Sequence, residues 1–334
     1  FNTLDKNWTN YFYNNLKQEF KVFKDYPNLS KIYYKNKYYE FLKEKIIKHQ
    51  PDLIFSSVND HKIDNLLKNF KSVKKLIWIS YQINSDKLKK IKETYDYIIS
   101  SNKLVLLFAK KERIKSYKMS ISAPKFCNLK EKDFQKRKNE IIFTGSLGHD
   151  FSKRLKVLLF LQDKFKISVR LRNLVEKFFI LNSINYFLIK LFPNLTKFLY
   201  NKKILPFTNK LKNIKKNEVF GINMLNEMQK FKFCLNIHSN FDSNQNVNAR
   251  VYEALSCGCL LFNEENDTMK KIFKNKKHVI YFSSEKDLLS KLNYYKKNLS
   301  EAYKIAKEGN DLFINKYQSS KRLKDFKKIL YNIL

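Results

Sequence analysis

Glycine and proline are scarce in this chain of 334 residues, at five each, and cysteine is scarcer still at four. In so glycine-poor a chain, a glycine is most easily explained where the backbone needs positive φ or another group must approach closely. Cys127, Cys234, Cys257 and Cys259 form no C-x-x-C pair and keep no histidine spacing suited to zinc. Neither a disulfide framework nor a metal site is therefore expected, and a reducing compartment fits this cysteine usage. Acidic residues are also few, 31 against 67 lysines and arginines, which leaves a net charge of +36. Long apolar runs are missing: Phe178 to Ile189 is the longest, short of the about 18 to 20 residues that a membrane-spanning helix needs. The expected location is cytoplasmic, with peripheral attachment to the inner face of the membrane as an option. Because the chain opens on Phe1 rather than Met, the lack of a signal peptide carries no weight.

What is present suffices for folding. Apolar residues make up 43% and aromatics 15%, so the charge does not imply disorder. The length predicts about two domains, each with a core of its own. A basic excess ordinarily points to nucleic acid, an acidic membrane or a phosphorylated substrate. Lys, Asn, Ile, Phe and Tyr are all written with A/T-rich codons, however, and all are abundant here, so much of the excess reflects coding bias. The basic residues are spread through the chain, and no RRM, KH, helix-turn-helix or finger pattern accompanies them. A nucleic-acid-binding protein therefore stands only as an alternative.

The pattern along the chain divides it in two. Residues 1–127 alternate helices (Asn7 to Phe20, Tyr33 to His49, Ile63 to Phe70) with short apolar strands (Asp52 to Ser57, Lys75 to Ser80, Tyr95 to Ser100). Such alternation predicts parallel βαβ units, with the first strand of this half upstream of Phe1 or lost. Residues 128–139 are charged and without apolar period, and are expected to be a linker. Residues 140–315 restart the alternation: strand Glu140 to Thr144, helix Lys153 to Phe165, strand Lys166 to Leu171, helix Asn223 to Lys230, strand Phe233 to His238, helix Ala249 to Cys257, strand Cys259 to Phe262. The fold class is thus α/β, two Rossmann-like domains expected to face each other across a cleft. An insert at about 172–206 belongs to a stretch, Phe151 to Phe220, that carries sixteen basic residues against three acidic ones. A helix there is a candidate for contact with an anionic membrane surface, and a buried helix pair is the alternative. Residues 316–334 are expected to form a helix that crosses back to the first domain.

The chemistry is expected in the second half, where all five glycines fall. Gly145 and Gly148 flank Ser146 in the first βα turn, where doubly wound folds bring phosphate to backbone amides. The segment TGSLG matches neither G-x-G-x-x-G nor a P-loop, so a dinucleotide or P-loop site is disfavoured. Arg154, just inside the next helix, opposes the helix dipole unless an anion is bound, and Arg250 does the same in its own helix. His238 and the polar run behind it follow a strand and are expected to open onto the cleft. Asn248 can cap the helix of Arg250, and the amides there form an anion site. Glu253 lies three residues on and can accept hydrogen bonds from ribose hydroxyls, or else forms a plain Arg–Glu surface pair. Gly258 sits where a helix end wants left-handed backbone.

The run FKFCLNIHSN, then NARVYEALSCGCLLF, then the helical tail EAYKIAKEGNDLFINKYQSSKRL, resembles the C-terminal donor domain of GT-B glycosyltransferases. It is most similar to their CgeB-like, spore-maturation-protein branch, whose pattern is a strand ending LNxH and then R-x-(F/Y)-E-A-x-(A/S)-C-G. The resemblance runs from Ile141 to the end, and over residues 1–127 it extends only to layout. It implies transfer of a sugar from a nucleotide-diphosphate sugar, UDP-linked in the first instance, to a glycan, lipid-linked or protein acceptor. No cofactor, no metal and no nucleic-acid partner are implied. FTGSLGHDFSKR is similar to the family's F-x-G-S turn and following Arg, which implies a diphosphate role for Gly145, Ser146 and Arg154. Phe220 and Gly221 resemble the segment that approaches the base, while Arg250 would hold phosphate and Glu253 the ribose. Wider retaining families carry E-x7-E; Glu253 matches the second Glu, but Gln245 replaces the first, so the stereochemical outcome stays open. Tyr317 stands where many relatives carry His. An inverting enzyme would need a general base, for which Asp60, His61 and His149 are candidates after strands. A catalytically inactive glycan- or nucleotide-binding relative is the remaining alternative.

Overall fold

The computed structural model describes residues 8–24, 34, 37–57, 60–79, 83, 85–145, 151–171, 215–216, 219, 221–238 and 247–334. They fall into two compact units, one of residues 8–122 together with 319–334, the other of residues 123–318.

The first unit is built on four parallel strands, β1 (Leu53–Ser56), β2 (Lys74–Ile79), β3 (Tyr97–Ser100) and β4 (Lys115–Lys118), in that spatial order. Helices α1 (Trp8–Leu16) and α2 (Tyr38–His49) precede the sheet. Helices α3 (His61–Lys68), α4 (Ser85–Lys92) and α5 (Lys103–Lys111) fill the three crossovers. A monotonic strand order with right-handed crossovers places all three on one face. Alternation along the strands then sorts the core. Ile77, Ile79 and Ile98 pack under these helices with Leu67, Leu88, Ile91, Val105 and Ala109. Leu76, Trp78, Ile99 and Met119 point the other way, onto Phe12 and Leu16 of α1 and onto Leu323, Phe326 and Leu330 of the helix Ser319–Ile333. Sequence patterning missed α4, α5 and β4: lysines crowd the few apolar positions of α4 and β4, while α5 is a continuous apolar run, Leu104 to Ala109, without helical period.

The second unit holds six parallel strands: β5 (Lys138–Gly145), β6 (Ile167–Leu171), β7 (Lys215–Lys216), β8 (Phe231–Asn236), β9 (Leu260–Glu264) and β10 (Ile280–Phe282). Their order, β10-β9-β8-β5-β6-β7, is that of a doubly wound nucleotide-binding sheet. Residues 128–139 are not a linker. They carry the short helix α6 (Glu131–Gln135), and Leu129 and Phe134 are buried in this unit's core. Two apolar side chains anchor the segment while its charged neighbours stay in water. Around the sheet lie α7 (Phe151–Gln162), α8 (Gly221–Met228), α9 (Ala249–Ser256), α10 (Asp267–Lys270), α11 (Glu285–Lys297) and α12 (Leu299–Lys316). Within residues 316–334 lies one helix, α13 (Ser319–Ile333), which is counted in the first unit. No helix among the described residues is long and apolar enough to cross a membrane. The insert at about 172–206 lies outside the described residues.

Helix α9 is clamped at its C-terminal end. Gly258 follows it at φ +66, the left-handed position expected there. Arg137 Nη1 donates to the carbonyls of Cys257 (2.8 Å) and Gly258 (2.9 Å). Buried Asn310 donates through Nδ2 to the Leu255 carbonyl at 2.7 Å and accepts from the Leu129 N–H at 3.0 Å. Carbonyls that a helix leaves unpaired are thus satisfied by a cation and an amide, and the cation also suits the negative end of the dipole. The clamp fixes where the other end of α9 points.

Candidate functional site

Strand order in the second unit reverses between β5 and β8, so the carboxyl ends of these two strands mark a topological switch point, where ligands of open α/β sheets collect. Gly145 ends β5, and His238 lies two residues beyond β8. A Cβ on Gly145 would meet only the Phe143 ring, at 3.6 Å (Cζ) and 3.9 Å (Cε1), so packing among the described residues does not demand glycine there. Ser146, Gly148, His149, Gln245 and Phe220 lie outside the described residues.

Arg154, in α7, donates through Nε (3.1 Å) and Nη2 (2.9 Å) to the carbonyl of Ile237. The chain leaving β8 thereby orients the guanidinium at the switch point. Lys153 pairs with Glu264 at 2.5 Å, and the other Glu264 oxygen accepts from the His238 backbone N–H at 3.2 Å. Neither Lys153 nor Glu264 stood out in the sequence, since charged residues are common in this chain.

His238 does not open to solvent as the sequence implied; it is 1% exposed. Burial, reinforced by the neighbouring Arg154 and Lys153 cations, pushes its pKa down to about 4. Its Nε2 lies 3.0 Å from Asn263 Nδ2. Asn263 and Asn236 are register partners on β9 and β8, and both are buried. Asn236 Nδ2 lies 2.6 Å from Asn263 Oδ1, and Asn248 Nδ2 lies 3.1 Å from Asn236 Oδ1. Asn248 caps α9 as expected, its Oδ1 accepting from the Val251 N–H at 3.3 Å. The signal for Asn236 and Asn263 was available: each is an amide that follows three apolar residues late in its strand.

Arg250 and Glu253 meet at 2.8 Å, without the alignment of a hydrogen bond, and their side chains are only 18% and 22% exposed. The pair exists but is not the solvated surface pair of the alternative reading. Arg250 Nη1 also touches the sulfurs of Met224 (2.6 Å) and Met228 (3.6 Å) on α8. Thioether sulfur is a weak acceptor, so the guanidinium keeps hydrogen-bonding capacity for an anion. Gly221 opens α8 at φ +54, a left-handed backbone.

The remaining candidates sit elsewhere. His61 is an exposed residue opening α3 in the first unit, and Asp60 is that helix's N-cap, accepting from the N–H groups of Lys62 and Ile63. A carboxylate committed to a cap is poorly placed to take a proton. Tyr317 packs against Tyr252 and Phe273, with ring centroids at 5.4 and 5.7 Å, as part of an aromatic core. A depression lined by Glu140, Asp163, Lys164 and Lys296 lies at the amino ends of β5 and β6, away from all of these groups. Among the described residues no group of three His, Cys, Asp or Glu could hold a metal ion.

The glycosyl transferase-like family matches residues 199–328, which include β8, α9 and β9. No curated protein matches the chain. Among solved structures, a glycosyltransferase from Rickettsia africae ESF-5 superposes with a TM-score of 0.57 at 13% identity, covering 94% of this chain and 84% of its own. The Anabaena Alr3699/HepE protein in complex with UDP-glucose gives 0.62 at 9% identity, covering 88% and 82%. An alpha-glucosyltransferase bound to UDP-glucose and DNA containing an abasic site gives 0.59 at 11%, covering 88% and 83%. At such identities these likenesses speak for the fold, which is that of GT-B enzymes with two Rossmann-like sheets. A glycosyl transferase-like segment at residues 199–328 and the fold that carries it together support a glycosyltransferase.

Proposed function

We propose that the chain transfers a glycosyl group from a nucleotide-diphosphate sugar, which the second unit holds, to a glycan, lipid-linked or protein acceptor. The observation that carries this reading is the gathering of Arg154, His238 and the capped N-terminus of α9 about the β5/β8 switch point. Departure of the diphosphate builds negative charge, and fixed cations and helix amides aimed at it are the main source of catalysis such a site offers. Gly145, Ser146 and Arg154 take the diphosphate, joined by Asn248 and Arg250 at α9. Gly221 approaches the base, and Glu253 accepts from the ribose. With these cations in place the reaction is read as metal-independent. UDP is the first nucleotide to test, because UDP-glucose is what the Anabaena protein binds. We read NARVYEALSCG as similar to the pattern of the CgeB-like branch.

A second reading concerns location. Helix α5 exposes Leu104 (48%) and Leu107 (51%) among exposed Lys103, Lys110 and Lys111, a combination that suits an anionic membrane surface. Calorimetric titration of UDP and UDP-glucose, followed by a donor-hydrolysis assay with and without chelator, tests the principal reading. Saturable binding with chelator-resistant turnover is expected; absence of binding rejects it.

A further inference from the structure

We infer that His238 is a fixed hydrogen-bond donor to the diphosphate of the nucleotide sugar, locked in one tautomer by three asparagines that lead to it from the N-terminus of α9. The inference rests on the donor-binding reading above.

The direction of the chain of bonds follows from its ends. A backbone N–H can only donate, so the atom of Asn248 facing Val251 is the amide oxygen. The Asn248 nitrogen therefore donates to Asn236, and the Asn236 nitrogen donates to Asn263. The Asn263 nitrogen must then donate to His238 Nε2. A second bond fixes Asn263 independently, since the same nitrogen lies 2.5 Å from the Glu264 carbonyl, which can only accept. Nε2 is thus an acceptor, the ring is neutral, and its one proton sits on Nδ1.

Nδ1 is buried and has no hydrogen-bond partner among the described residues. An unpaired buried donor is costly and rare, and retaining one at a ligand-binding switch point is explained if the ligand supplies the acceptor. Lys153 and Arg154 are close enough to oppose charge on the ring, so they also draw an anion to it. A histidine already protonated on Nδ1, with Nε2 occupied, cannot accept a proton from an acceptor hydroxyl. It works as a donor, with Asn263 as its positioning residue.

The chain has five histidines, so ring resonances of a 15N-histidine sample are few, and loss of one in His238→Leu assigns it. Long-range 1H–15N correlation is expected to show His238 as the neutral Nδ1–H tautomer at pH 7, with Nδ1 shifting when UDP is added. An Nε2–H tautomer or an imidazolium overturns the inference without reference to any ligand. An Nδ1 resonance that UDP leaves in place identifies a buried water as the partner and overturns it too. In titrations, His238→Leu is expected to bind UDP about ten-fold more weakly and uridine unchanged. Asn263→Asp, which offers Nε2 an acceptor, is expected to move the proton to Nε2 and weaken UDP similarly. Wild-type protein that fails to bind UDP overturns the donor reading, and this inference falls with it. UDP binding that His238→Leu retains in full overturns the inference alone.

Discussion

His238 ties stability to pH. An unfolded histidine titrates near 6.5, whereas burial holds this ring near 4 in the fold. Between those values the unfolded chain binds more protons, so stability is complete above about pH 6.5 and falls as the pH drops toward 4. Such a shift corresponds to at most about 3 kcal/mol. Urea midpoints measured from pH 7.5 to 4.5 should decline, and His238→Leu should flatten that decline; parallel curves would place the sensitivity in other groups. Glu253 offers a second single-residue test. If it accepts from the donor ribose, Glu253→Ala removes charge-assisted bonds worth roughly 1.5 to 3 kcal/mol, about a ten- to hundred-fold loss in UDP affinity. The melting temperature should hold, because the side-chain partner of the carboxylate is Arg250, which also rests on Met224 and Met228. Undiminished affinity would leave Glu253 as a helix-pairing residue only.

At the scale of elements, α12 shows how packing overrides intrinsic preference. Replacing a mid-helix glycine with alanine ordinarily stabilises a helix by about 1 kcal/mol. At Gly309 an added Cβ would stand 2.5 Å from the His278 carbonyl oxygen and 2.9 Å from Leu255 Cδ2. One of these is backbone and cannot swing aside. Gly309→Ala should therefore destabilise the protein by roughly 1 to 3 kcal/mol in chemical unfolding, the usual range for overpacking. A stabilised variant would mean that α12 can slide off the segment at His278. The same contrast explains what sequence reading reaches. Apolar strands such as Lys74–Ile79 and Phe231–Asn236, and the Asn248 cap, announce themselves through local pattern. Helix α4, with buried Leu88 and Ile91 among four lysines, does not. Nor does Arg137, whose partners Cys257 and Gly258 are 120 and 121 residues away in the chain. The candidate-site residues were legible by type, but their connections were not. That Asn236 reaches Asn263 depends on strand register, and that Arg154 orients on Ile237 depends on sheet order.

For the molecule as a whole, the net charge of +36 makes any association with anionic surfaces sensitive to salt. Lysines near such a surface contribute about 1 kcal/mol each, and two exposed leucines on α5 add apolar contact. Sedimentation with phosphatidylglycerol vesicles at low salt should carry down the wild type, and Leu104→Ser/Leu107→Ser should weaken that binding without changing the melting temperature. Wild-type protein that stays in the supernatant at low salt disposes of membrane contact through α5. The route of the chain has a different kind of consequence. Trp78 and Leu76 of an early strand are covered by Phe326 and its neighbours in α13, with the Trp78 and Phe326 rings 6.3 Å apart. On a ribosome, the segment 8–122 is made first yet waits for 319–334 to complete one face of its sheet. The described residues of the other unit all fall within 123–318 and carry no such debt. During synthesis the later-made unit can thus be native while the earlier one still shows an apolar sheet face, which is the interval in which a chaperone would find a reason to hold this protein.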